Sequence, residues 1–184
     1  LAVLFILSNI KEDNKKNILI VSNMYPRTND SYGIFVKNVE DLLDDNYNVD
    51  RIVLFKHTNV IAKLFAYIYL YLGTIIKMTF NNYDYIYVHY ISHSSLGPII
   101  GDIFSKDVKI IYNAHGNDVI ADTERDLKNI NRSKKYLKYA YKVVVPSEYY
   151  KEVMMEDYKI PDKKIFVYPS GGVDIELFNS MDIS

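Results

Sequence analysis

The chain has 184 residues, of which 49% are hydrophobic and 24% are charged, and its formal net charge is −1. This composition is typical of a single globular domain, and the lack of a basic excess argues against a nucleic-acid partner. No cysteine is present, which excludes disulfides and thiolate metal sites and agrees with a cytoplasmic location.

The chain begins with residues 1–16, an apolar segment (1–10) followed by a charged linker. Spanning a bilayer takes about 20 apolar residues, so the apolar segment is too short to do so. No basic residues precede it and no small-residue cleavage site follows it, so a signal peptide is poorly supported. We therefore expect the folded domain to begin at residue 17.

Short apolar runs then alternate with longer amphipathic runs. Residues 17–22 carry a continuous apolar run, which is typical of a strand covered by helices on both faces. Apolar residues at intervals of three and four predict a helix over 35–44 and a longer helix over 60–78. Strands are predicted after each of these helices, over 49–55 and 83–89.

The second half of the chain continues this alternation. A short helix is predicted over 95–104, where Pro98 is tolerated only in the first turn. A strand over 108–112 follows it. A polar stretch, 117–133, then separates this strand from 134–140, the end of a fourth helical region.

The last predicted elements are a strand over 142–145, a helix from a cap at Ser147 to about Asp157, and a strand over 165–168. Strands that alternate with helices indicate repeated βαβ units around a parallel sheet. The predicted fold class is therefore α/β, a doubly wound, mainly parallel, Rossmann-like sheet in a single domain.

Two apolar features leave alternatives open. The 18 tyrosines either lie at the rim of the core or form a sugar-stacking surface. The helix over 60–78 has Lys63 and Lys77 near its ends. Its mixed faces fit a core helix, or a helix that contacts a membrane surface, better than a spanning helix.

Polar residues follow the predicted strands, and ligands bind at that edge of open α/β sheets. Gly33 follows the first strand, His89 ends the third, and His115, Gly116 and Asp118 follow the fourth. Histidine titrates near neutral pH, so it suits proton transfer or charge stabilisation. The alternative is a loop in which His115 and Asp118 only cap the next helix.

The sequence lacks the common motifs of several enzyme and nucleotide-binding classes. Neither the dinucleotide spacing G-x-G-x-x-G nor a P-loop occurs, and no G-x-S-x-G elbow indicates a hydrolase. His89, His93 and His115 fall near one edge of the predicted sheet. No metal-binding spacing such as H-E-x-x-H accompanies them, so a metal site is disfavoured.

Four motifs, most of them at strand ends, occur in a fixed order. They are a Tyr-Pro loop with a downstream glycine (Tyr25, Pro26, Gly33), a His-Gly-x-Asp strand end (His115, Gly116, Asp118), a Val-Pro-Ser strand end (Val145, Pro146, Ser147) and an Ile-x-Val-x-Pro…Gly-Val-Asp…Phe close (Ile165, Val167, Pro169, Gly172, Val173, Asp174, Phe178). This ordered set, spread over residues 17–178, resembles the amino-terminal, acceptor-side domain of family 4 glycosyltransferases with the GT-B fold.

The resemblance implies retaining transfer of a sugar from a nucleotide-sugar to an acceptor hydroxyl. A glycan or lipid-linked saccharide is the implied acceptor, and polysaccharide biosynthesis the implied setting. The resemblance makes His115 the catalytic residue, close to the transferred sugar, and it implies no metal or other cofactor. The implied substrate-binding residues are Tyr25, Gly33, His89, Gly116, Asp118 and Ser147, and the implied interdomain residues are Gly171, Gly172 and Asp174.

The sequence departs from the family pattern in places. Only Gly33 stands where family members often carry paired glycines, and Ser170-Gly171-Gly172 replaces a common Asn-Gly. The chain ends at Ser184, with residues 179–184 as a tail or the start of a crossover, before the carboxyl-terminal domain that binds the nucleotide in this family. We therefore expect that this chain alone does not catalyse transfer.

The full enzyme is expected in the cytoplasm, or on the inner face of the membrane through residues 60–78. Two other functions stay open. One is a stand-alone acceptor-binding or scaffold subunit of a bipartite glycosyltransferase. The other is an unrelated flavodoxin-like or sugar-phosphate-binding domain.

Overall fold

A computed structural model describes residues 15–28, 31–105, 107–116, 118–121 and 123–169 of the protein. Six strands alternate with helices along these residues. A 3-10 turn at Leu137–Tyr139 precedes the fifth of these strands, and another at Asp162–Lys164 precedes the sixth. The elements are β1 (Asn17–Ser22), α1 (Ile34–Asp44), β2 (Asn48–Val53), α2 (Val60–Phe80), β3 (Tyr85–His89), α3 (Ile91–Ser94), α4 (Leu96–Asp102), β4 (Lys109–Asn113), α5 (Glu124–Tyr136), β5 (Lys142–Val145), α6 (Glu148–Glu156) and β6 (Ile165–Val167).

The strands form one parallel sheet in the order β2-β1-β3-β4-β5-β6. The predicted fold class is confirmed. The register aligns the carboxyl ends of three neighbouring strands, because Ser22 pairs with His89 and His89 pairs with Asn113. The loops that follow β1, β3 and β4 therefore start side by side at one edge of the sheet.

Helices cover both faces of the sheet, which explains why the central strands are apolar without alternation. On one face, Val36, Val39 and Leu43 of α1 are buried in a cluster that includes Ile18 and Tyr87 of the sheet. On the other face, a larger cluster includes buried residues of α2, α6 and the alternate side chains of the same strands. The site at the carboxyl edge thus rests on a core that is closed on both sides.

The prediction of a polar separator over 117–133 is wrong for most of that range, because α5 begins at Glu124. The side chain of Thr123 accepts a hydrogen bond from the backbone N–H of Asp126, whose carboxylate accepts one in return from the backbone of Thr123. This capping box starts the helix. The helix was missed because its buried positions are polar: Asp126, Asn129 and Ser133.

The short helix predicted over 95–104 is α4 (Leu96–Asp102), and Pro98 lies in its first turn as expected; a separate short helix, α3, was not predicted and precedes it. Helix α4 packs closely on α2. A Cβ atom added to Gly97 would lie 2.9 Å from the Cβ of Thr74 and 3.1 Å from the carbonyl oxygen of Tyr71. Glycine at this position therefore allows the two helix backbones to approach each other.

The interpretation of α2 as a core helix is wrong for most of its surface. Leu70, Thr74 and Met78 are buried along one narrow face. α2 is long and apolar enough to span a membrane, with a mean hydropathy of 1.5 over its most apolar 18 residues. Only 11% of those residues are buried in the fold. A single helix of this kind is weak evidence of a membrane span. The apolar stripe, as we call its exposed face, consists of Val60, Ile61, Leu64, Phe65, Ile68, Tyr69, Leu72, Ile76 and Phe80.

Candidate functional site

The candidate site lies where the strand order reverses. From β1 the chain passes to β2 at one edge and then returns to β3 on the other side of β1. The loops after β1 and β3 diverge at such a switch point and leave a crevice, which is where open α/β sheets bind ligands. Gly33 follows β1, His89 ends β3, and His115 follows the adjacent β4.

The two histidines are in direct contact at this edge. The Nδ1 atom of His89 and the Nε2 atom of His115 are 3.0 Å apart, and the rings stack with centroids 5.2 Å apart. A hydrogen bond at this distance needs a proton on one of the two nitrogens and a lone pair on the other, so at least one of the two rings is neutral. The sequence predicted both residues at this edge but not their contact.

Burial keeps the pair neutral. Burial lowers the pKa of His115 to about 4. His89 is fully buried, and its burial together with the neighbouring His115 holds its pKa well below the ordinary value of 6.5. At neutral pH neither imidazole carries a charge, so this pair can donate and accept hydrogen bonds but does not supply a cation.

An aromatic side chain fixes the orientation of the pair. Phe35, in the first turn of α1, lies with its ring centroid 4.3 Å from that of His115 and 5.9 Å from that of His89. Phe35 is the first residue of the helix predicted over 35–44. Its contact with the histidines depends on how α1 returns across the sheet edge, for which the sequence carries no local signal.

Asp118 joins the two loops that carry the histidines. Its Oδ1 atom accepts hydrogen bonds from the backbone N–H groups of His115 and Gly116, each at 3.0 Å. Its Oδ2 atom accepts one from the N–H of Ile91 at 3.0 Å. Burial raises the pKa of Asp118 to about 6, and these three backbone hydrogen bonds counteract the rise. The buried carboxylate thus orders the backbone around the site.

Two glycines shape the loops at the site. Gly33 has φ +79°, and a Cβ atom there would lie 2.7 Å from the backbone nitrogen of Tyr25. A side chain at this position would therefore push the loop after β1 away from the start of α1. Gly116 has φ +130°, a conformation that residues with a Cβ rarely adopt, although space is available around it.

Other predicted site residues have different surroundings. The ring of Tyr25 is buried, and its hydroxyl donates to Glu40 and accepts from Arg51, the latter at 3.0 Å. The hydroxyl of Ser147 caps α6 by accepting a hydrogen bond from the backbone N–H of Tyr150. The structure thus brings together Gly33, His89, His115, Gly116 and Asp118 but gives Tyr25 and Ser147 separate partners. The predicted interdomain residues, Gly171, Gly172 and Asp174, lie outside the described residues.

A family model, Glycosyltransferase Family 4, matches residues 25–177. The chain belongs to this family. The match includes every residue of the histidine site and supports a glycosyltransferase-type function. A comparison with curated proteins gives no match.

Next to the histidine site, the family 4 domain has a cavity of about 500 Å³, here called the edge cavity. Its walls come from the loops after β1 and β2, the first half of α2, the segment after β3 and the start of α5. His93, predicted near this edge of the sheet, also lines the cavity, which the sequence did not predict. Its aromatic walls are Tyr32, Phe55, Tyr67 and Tyr90.

The tyrosines of the described part of the chain fall into different environments, and a sugar-stacking surface stays a prediction. Tyr47, Tyr85, Tyr87 and Tyr112 are buried in or near the sheet, whereas the edge-cavity tyrosines line open space.

Within the described part of the chain, no group of three or more His, Cys, Asp or Glu side chains converges as a metal site would require.

Replacing Asp118 tests its structural role. In Asp118→Ala the three backbone N–H groups lose their acceptor, and each unsatisfied buried group costs about 1–3 kcal/mol. We expect the free energy of unfolding in urea to fall by roughly 3 kcal/mol or more. We also expect amide hydrogen exchange of Ile91, His115 and Gly116 to accelerate.

The matched control is Asp44→Ala at the exposed end of α1. It should change the free energy of unfolding by about 0.5 kcal/mol or less and leave those three amides protected. Equal losses in the two variants, or unchanged exchange in Asp118→Ala, would contradict the role given to Asp118.

Proposed function

We propose that this chain is the acceptor-side domain of a retaining glycosyltransferase, which transfers a sugar from a nucleotide-sugar to an acceptor hydroxyl in polysaccharide biosynthesis. The observation that carries the proposal is that His115, which follows β4, contacts His89 at the end of β3, beside the topological switch point of a family 4 domain. At this position a side chain faces the crevice where open α/β sheets bind ligands.

In this proposal His115 orients the sugar and does not transfer a proton. A general acid or base works best when its pKa lies near the working pH, and the pKa of His115 lies at about 4. A neutral imidazole held by His89 and Phe35 is suited to hydrogen bonding a sugar hydroxyl in a fixed geometry. Catalysis then rests on positioning and charge stabilisation, with the leaving phosphate accepting the acceptor proton.

The proposal assigns the donor nucleotide mainly to a second Rossmann-like domain. The chain contributes the amino terminus of α1 at Gly33, whose backbone N–H groups favour an anion such as the donor diphosphate. On this basis the 184-residue chain by itself binds nucleotide-sugars weakly and does not catalyse transfer.

We further propose that the domain rests on the cytoplasmic face of a membrane through the apolar stripe. Val60 and Phe80, at the two ends of the stripe, are each about four-fifths exposed (81% and 80%). The stripe has the length of α2, about 30 Å at 1.5 Å per residue. No acidic residue lies in α2, and Lys63 is exposed near its start. Apolar stripes with basic residues favour anionic membrane surfaces.

Transfer activity tests the role of His115. In the product of the whole reading frame, His115→Ala should lower kcat by roughly 10²–10³, as for the loss of one preorganised hydrogen-bond donor. Lys135→Gln, at the far end of α5, is the control and should leave kcat unchanged. If His115→Ala retained full kcat with any nucleotide-sugar that the wild type uses, the catalytic assignment would be wrong.

Co-sedimentation with anionic liposomes at low salt tests the membrane contact. The wild-type chain should sediment with the vesicles, whereas the double variant Ile68→Glu/Leu72→Glu should stay in solution because two charges interrupt the apolar stripe. Leu127→Glu, at an exposed apolar position of α5, should bind as the wild type does. Failure of the wild-type chain to sediment would refute the proposed contact.

A further inference from the structure

We propose that the edge cavity binds a phosphate or diphosphate group of the acceptor, and that an apolar chain attached to this group lies in the groove beside α2. This inference rests on the proposed function, since it specifies the acceptor class. It makes the acceptor an amphiphile, a saccharide joined through phosphate to a lipid chain.

The charges of the edge cavity favour an anion. Lys56 and Lys63 both line it, and neither forms an ion pair with a carboxylate among the described residues. Among the described residues that line the cavity, Asp126 is the one carboxylate. It is buried, and its Oδ2 atom already accepts hydrogen bonds from the backbone N–H and the hydroxyl of Thr123. Two cations at this site therefore have no carboxylate partner among the described residues.

The walls of the edge cavity are held in place by hydrogen bonds. The side-chain amide of Asn23 donates to the hydroxyl of Tyr67 at 3.3 Å, and the backbone N–H of Asn23 donates to the hydroxyl of Ser94 at 3.0 Å. The hydroxyl of Tyr71, whose ring contacts that of Tyr67, donates to the carbonyl of His93 at 3.0 Å. A preorganised wall of this kind reduces the entropy lost when a ligand binds.

Tyrosine rings beside the lysines suit a sugar phosphate. The Nζ atom of Lys56 lies 6.0 Å from the centroid of the Tyr32 ring, which keeps the ammonium group at the cavity. The rings of Tyr67 and Tyr90 provide flat apolar surfaces for a sugar, while the ammonium groups provide donors for phosphate oxygens.

An apolar groove of about 550 Å³ adjoins the edge cavity and shares Leu54, Phe55 and His57 with it. Phe65 and Tyr69 of the apolar stripe form one wall of this groove. The groove also contains Arg51, but Glu40 pairs with its guanidinium group. Within the described part of the chain, the positive charge without a carboxylate partner thus lies in the cavity, and the apolar surface lies in the groove. This division matches the two parts of a phosphate-bearing lipid.

Isothermal titration of the 184-residue chain with geranyl diphosphate, geraniol, inorganic pyrophosphate and UDP tests the inference. Geranyl diphosphate should bind more tightly than geraniol, which lacks the phosphates, and than pyrophosphate, which lacks the chain. Lys56→Gln/Lys63→Gln should weaken geranyl diphosphate by about tenfold or more, as expected when hydrogen bonds to a charged group are lost. Phe65→Ala should weaken geranyl diphosphate and leave pyrophosphate unchanged.

The matched control is Lys135→Gln/Lys138→Gln, which removes the same charge from exposed positions outside the cavity and should bind every probe as the wild type does. Equal binding of geraniol and geranyl diphosphate would overturn the inference, as would equal losses in the two lysine pairs. Displacement of geranyl diphosphate by UDP would also overturn it, because the cavity would then belong to the donor.

This titration is independent of sugar transfer. A chain that binds geranyl diphosphate through Lys56 and Lys63 supports the acceptor class even if His115→Ala retains full transfer activity. Conversely, loss of transfer in His115→Ala leaves the proposed transfer reaction in place even if the cavity fails to bind the diphosphate.

Discussion

The carboxylate of Asp118 holds together the part of the molecule on which the site depends. One side chain binds three backbone N–H groups from two different loops, those after β3 and β4. Those loops begin side by side, because the last residues of β3 and β4, His89 and Asn113, pair with each other in the sheet. The carboxylate is fully buried, and the cost of burying its charge appears as the raised pKa of Asp118, about 6. The backbone hydrogen bonds offset this cost and fix His115 against His89.

Much of the fold and part of the site follow from the sequence for a clear physical reason. Strands covered on both faces must be continuously apolar, so the polar residues that follow them mark the sheet edge. This logic found His89, His115, Gly116 and Asp118 together. It did not give Asp118 its role, because the partner N–H of Ile91 lies on another loop. The contact of Phe35 with His115 is equally a product of tertiary packing.

Where the prediction of elements failed, the buried positions had an unexpected chemical character. Helix α5 buries Asp126, Asn129 and Ser133, so a search for apolar periodicity passes over it. Helix α2 has the opposite property, since much of its apolar surface faces outward. The sequence shows which residues are apolar, but only the packing of α4 against Thr74 shows which face of α2 the fold covers. The exposed face and the edge cavity then lie together at the first half of α2.

The central claim is that His115 is a neutral imidazole, held by His89 to orient a ligand. Nitrogen-15 NMR of the histidine side chains as a function of pH tests this claim most directly, since it reports both the charge and the tautomer of each ring. The account predicts that His115 and His89 stay neutral from about pH 8 to about pH 5, with one proton shared between Nδ1 of His89 and Nε2 of His115, and that His115 titrates at a pKa of about 4. A His115 that titrates at its ordinary pKa of 6.5, or that shows no hydrogen bond to His89, would contradict it.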